Sequence, residues 1–73
     1  MKVTLKAARV NSNLRQTDAA IEIGVSRDTI HAWENGKSVP NVKYIPKIER
    51  VYGVSYDELI FLPSSYAKSV KGA

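Results

Sequence analysis

Arg27, Asp28 and His31 follow Ser26 at positions that share one face of any helix Ser26 caps. The chemistry open to such a face is hydrogen bonding to base edges. A guanidinium grips guanine O6 and N7 with two bonds, and a carboxylate accepts from the cytosine amino group. His31 and the adjacent Ala32 can touch further bases. Asp28 has a second possible role, as a counter-charge to Arg27 and His31, because a carboxylate near phosphates is repelled unless paired. Other chemistries find no support. His31 is the only histidine and there is no cysteine, which excludes a disulfide, Cys-ligated zinc and a thiol nucleophile. No cluster of carboxylates around His31 suggests general acid–base work. The sequence reads as a non-enzyme with no cofactor, metal or small-molecule substrate.

Those side chains need short, well-bounded helices, and turn residues supply the boundaries. Leu5 and Ala8 predict a first helix over roughly residues 4–12, with Thr4 as N-cap. Ala19, Ala20 and Ile23 predict a second over 16–23, which Gly24 stops in the left-handed conformation. The third runs from the Ser26 cap to about Glu34, with Ile30 and Trp33 inward. A fourth begins near Tyr44, which places Pro46 in its first turn, and ends at Gly53. Ser55-Tyr56-Asp57-Glu58 is a capping-box pattern that opens a fifth helix, terminated by Pro63. No strand is expected. Residues 1–63 form one all-α domain, and 64–73, without an apolar stripe of their own, a flexible C-terminal tail.

The window from Gln16 to Asn35 joins two short helices through Gly24-Val25-Ser26. So short a connection forces a steep crossing, with Ala20 at the closest approach, and this is helix-turn-helix spacing. The surroundings make it more specific. Leu5-Lys6, Arg9, Leu14, Gln16, Gly24-Val25-Ser26, Trp33-Glu34-Asn35-Gly36-Lys37, Pro40 and Gly53-Val54-Ser55 with Glu58-Leu59 occur in order. Over residues 3–62 the chain closely resembles the Cro/CI-like (XRE) helix-turn-helix family, whose fold is the lambda-repressor-like five-helix domain.

The resemblance implies that helices two and three bind operator DNA, commonly as a homodimer. The second helix of such a unit enters the major groove with its N-terminal residues at base edges, which makes Arg27, Asp28, His31 and Ala32 the expected base-reading residues. Phosphates are held by backbone N–H groups at helix starts and by polar side chains nearby, here Ser26 and Thr29. By the resemblance, Gln16, Asn35, Lys37, Lys43 and Tyr44 also match positions on the DNA side. The family also implies an ion pair between Arg9 and Glu34. Arg15 departs from the pattern, since Ser, Thr or Asn usually caps helix two; it can compensate by reaching a phosphate.

The 73 residues carry 11 Lys and Arg against 7 Asp and Glu, a formal net charge of +4. Two of those charges, Lys68 and Lys71, lie in the tail, so distribution says more than the total. The N-terminus interrupts its apolar residues with charge, unlike a signal peptide or membrane span, and a cytoplasmic protein is expected. The run Leu59-Ile60-Phe61-Leu62 is expected to divide between the core and a dimer patch made of Ile60, Phe61 and Leu62, the alternative being that all of it is core. The function expected is that of a phage- or prophage-type Cro or repressor acting on double-stranded operator DNA. The alternative is an antitoxin-like interaction module that neutralises a partner protein.

Overall fold

The computed structural model describes residues 2–61; Leu62 and the expected tail lie outside them. Along the chain come β1 (Val3–Thr4), α1 (Leu5–Asn11), α2 (Gln16–Ile23), α3 (Arg27–Glu34), a 3-10 turn (Val42–Tyr44), α4 (Ile45–Tyr52), a second 3-10 turn (Tyr56–Glu58) and β2 (Leu59–Ile60). The expected stops and starts hold where a side chain closes them. Thr4 Oγ1 accepts from the Ala7 N–H at 3.1 Å, and Ser26 Oγ accepts from the Thr29 N–H at 3.2 Å. Gly24, at φ 89°, ends α2 by donating to the Ala20 carbonyl at 2.8 Å; an L side chain would be strained there. Pro46 falls in the first turn of α4, where its missing N–H costs nothing.

The described residues form four α-helices, not five, and they contain strand. The Ser55–Glu58 box does form: the Ser55 N–H and hydroxyl donate to Glu58 Oε1 at 3.0 and 3.3 Å. It opens only a 3-10 turn. The chain leaves the helical conformation at Leu59, which is extended (φ −87°, ψ 137°). Leu59 and Ile60 pair instead in parallel with Val3 and Thr4, in the register Val3↔Leu59 and Thr4↔Ile60. The β-branched Val3, Thr4 and Ile60 suit that pairing, and it buries Leu59.

Leu5, Ala8, Ala19, Ala20, Ile23, Ile30, Trp33, Ile48, Tyr52 and Leu59 make one core. Ala20, expected at the closest approach of α2 and α3, is buried. Ser12 Oγ lies 3.0 Å from the Ala8 carbonyl and 3.2 Å from that of Tyr52, tying the end of α1 to the end of α4. Burial, with the Glu34 charge adding to it, pushes the Tyr52 phenol up to about 12. The folded state therefore favours the neutral phenol. Its contribution to stability is complete below the ordinary value of 10.0 and is lost as pH rises toward about 12. An alkaline absorbance titration should show a late tyrosine step for Tyr52, at about pH 12, and Tyr52→Phe should remove it. The absence of any late step that Tyr52→Phe removes would mean that its ring is solvated.

Candidate nucleic-acid interface

The face that the spacing predicts for α3 exists. Arg27, Asp28 and His31 are exposed and Ala32 is half-buried, while Ile30 and Trp33 turn into the core. Among the described residues neither Arg27 nor Asp28 takes part in an ion pair. Ser26 and Thr29 close the start of the helix, their hydroxyls 3.0 Å apart. His31 is held from behind. The Asn35 amide nitrogen lies 3.0 Å from the His31 carbonyl oxygen and 2.9 Å from its Nε2.

The start of α2 is built around a buried charge. The Arg9 guanidinium donates to both Glu34 oxygens, Nε to Oε2 at 2.6 Å and Nη2 to Oε1 at 3.1 Å, and through Nη1 to the Leu14 carbonyl at 2.9 Å. The Glu34 hydrogen bonds hold Arg9 protonated beyond its usual range, against the pull of burial. This is the expected pair, with a third member that the sequence did not disclose: Gln16 Nε2 donates to Glu34 Oε1 at 3.0 Å. One carboxylate thus joins α1, α2 and α3. Gln16 and Glu34 are 18 residues apart, and no local pattern marks such a bond.

Arg15 offers α2 no capping oxygen, and Asp18 supplies one from inside the helix. Its Oδ2 accepts the Arg15 N–H at 3.0 Å and the Arg15 Nε–H at 3.1 Å. The Arg15 side-chain bond, then its backbone bond, hold the Asp18 carboxyl below its ordinary value. The pair is exposed, and such pairs are worth little in water, so a phosphate can draw Arg15 away. Arg9, Arg15, Gln16, Thr17 and Arg27 line an open depression of about 330 Å³. It gathers two expected phosphate ligands, Arg15 and Gln16, with one expected base reader. Arg9 and Thr17 also line it, and sequence reasoning had not assigned either to this surface.

Beyond the C-terminus of α3, Asn35, Lys37 and Lys43 are exposed. The Lys43 ammonium sits 5.1 Å from the ring centroid of Tyr44. Tyr44 is half-buried, its ring 5.7 Å from that of Trp33 at an interplanar angle of 52°. Tyr44 is therefore braced by the core while Lys43 stays in solvent. The residues expected at phosphates thus fall into two groups, one at the start of α2 and α3 and one past the end of α3.

A helix-turn-helix family model matches residues 5–59. The chain is 44% identical over 59 residues to an uncharacterized HTH-type transcriptional regulator of Methanocaldococcus jannaschii, covering 81% of this chain and 89% of that protein. It is 38% identical over 56 residues to the HTH-type transcriptional activator BcrR of Enterococcus faecalis, covering 77% of this chain and 28% of the activator. It is 34% identical over 56 residues to the cryptic phage CTXphi transcriptional repressor RstR of Vibrio cholerae, covering 77% of this chain and 50% of the repressor. No solved structure matches significantly. No helix among the described residues is long and apolar enough to cross a membrane.

Proposed function

The chain belongs to the Cro/CI-like (XRE) helix-turn-helix family, and from that premise we propose that it is a sequence-specific regulator of transcription that reads operator DNA with α3. The observation that carries this reading is Arg27. It stands exposed on the first turn of a side-chain-capped helix, free of any ion pair among the described residues, with Arg15 and Gln16 beside the same depression. That is the arrangement of a bidentate guanine reader flanked by phosphate ligands. Gln16 contributes in two ways, fixing Glu34 and lining the approach. Lys37, Lys43, Asn35 and Tyr44 meet the phosphates past the end of α3, and Ser26 and Thr29 those at its start.

A phage-type repressor is the more specific form of the proposal, supported by the likeness to RstR. An activator is among the relatives too. The operator-bound form is a homodimer. Ile60 is 39% exposed on β2 and Phe61 is half-buried next to it; Leu62, the third residue of the expected patch, lies outside the described residues.

Selection from a random duplex library should recover a two-fold symmetric site holding two chains. Against the recovered site, Arg27→Ala should cost about 1–3 kcal/mol and relax preference at one base position of each half-site. Equal loss on all sequences would make Arg27 a phosphate contact. Recovery of no preferred sequence would overturn the proposal.

A further inference from the structure

His31 and Asn35 stand four residues apart, the interval that stacks two side chains on one helix face. Asn35 is also where α3 ends. Its N–H donates to the His31 carbonyl at 3.1 Å, and Gly36 turns the chain at φ 74°. The Lys37 N–H then reaches back to the Ala32 carbonyl at 3.0 Å, which closes the end of the helix. The Asn35 backbone is thus fixed on both sides, and its short side chain folds back along α3. The amide nitrogen lies 3.0 Å from the His31 carbonyl oxygen and 2.9 Å from Nε2 of the ring. Ending the helix needs the first contact alone; the second acts on the imidazole.

An exposed imidazole turns readily about a broad χ2, so an unbraced His31 would present either ring edge to a base. Reading by hydrogen bond needs one edge in one direction, because such bonds weaken steeply as they bend. A partner at Nε2 selects the ring orientation before DNA arrives, which removes an ordering cost from binding. We propose that Asn35, besides its place beside the phosphates, is a positioning residue for base reading: it fixes the His31 ring and so sets preference at the base pair that His31 meets. On the operator reading, on which this role rests, specificity at that pair then depends on a side chain that does not itself touch the base.

The chain has one histidine and so one set of imidazole signals. In the free protein an NOE from the Asn35 amide protons to that ring is expected, and its absence would overturn the proposal without reference to DNA. Binding is then compared across the selected duplex and its single base-pair variants. His31→Ala should lose preference at one pair of each half-site. Asn35→Ala should lose it at the same pair, by about tenfold, and should change it no further in the His31→Ala background. Asn35→Ser keeps a hydroxyl that can bond the His31 carbonyl and end the helix, but it does not reach the ring, so it should lose the preference too. Equal weakening on every duplex would overturn the proposal and leave Asn35 a phosphate contact alone. Preference retained by Asn35→Ser would overturn it as well, reducing Asn35 to a helix cap. Arg27→Ala relaxes a different pair in the same panel, so failure of the operator reading is distinct from failure of this role.

Discussion

Glu34→Ala is expected to cost about 3–5 kcal/mol of folding stability, because it leaves the Arg9 guanidinium buried without its partner. The side chains of Arg9 and Glu34 are only 10% and 3% exposed, and Glu34 accepts three hydrogen bonds from two other helices. A domain this small has little stability to lose, since total values are only about 5–15 kcal/mol. The variant should be largely unfolded in modest denaturant and poorly folded at growth temperature. Replacing both partners, Arg9→Met with Glu34→Leu, should recover much of the loss, since the cost lies in stranding a charge rather than in lacking an ion pair. A double-mutant cycle by urea unfolding measures this. A Glu34→Ala loss below about 1 kcal/mol, the size found for exposed pairs, would mean that water reaches the carboxylate.

Affinity for the selected duplex should fall about a thousandfold between 50 and 200 mM salt, the slope of about six phosphate contacts. On the proposed reading, the two groups of expected phosphate ligands supply those contacts together with backbone N–H groups at the starts of α2 and α3. Arg15 enters the count only by exchanging Asp18 for a phosphate, so its share of the slope includes breaking that pair. Fluorescence anisotropy at stepped salt gives the slope directly. Its loss would be mostly uniform across sequences, in contrast to the position-specific effect of Arg27→Ala, so the two measurements separate charge attraction from base reading. A slope near zero would exclude DNA as the ligand of this face, whatever the fold.

The parts of this molecule that local chemistry dictates were legible in the residues. Thr4, Ser26 and Gly24 act within three or four positions of themselves, and each closes the helix it was expected to close. Pro46 likewise fixed the start of α4, because it fits only a first turn. The misreading at Ser55–Glu58 is instructive for the opposite reason. The box is local and forms, but whether a helix follows depends on β1, far away in sequence, which takes Leu59 and Ile60 into a strand pair. Gln16 shows the same limit. Its type suggested a role at the DNA, and only the packing of three helices revealed its bond to Glu34. Arg15 and Asp18 lie three apart, and their pairing could have been anticipated from the missing cap.

The parallel pairing of Val3 and Thr4 with Leu59 and Ile60 also orders the folding of the chain. It joins the two ends of the described residues, so it closes the largest loop available and the pairing comes at a higher entropic cost than any contact inside α2–α3. The helix-turn-helix pair α2–α3 is contiguous in sequence and can assemble on local contacts first. The two-residue clasp at the ends then forms late and, carrying few bonds, opens early. Opening of that clasp can thus loosen the edge of the domain while the helix-turn-helix stays folded.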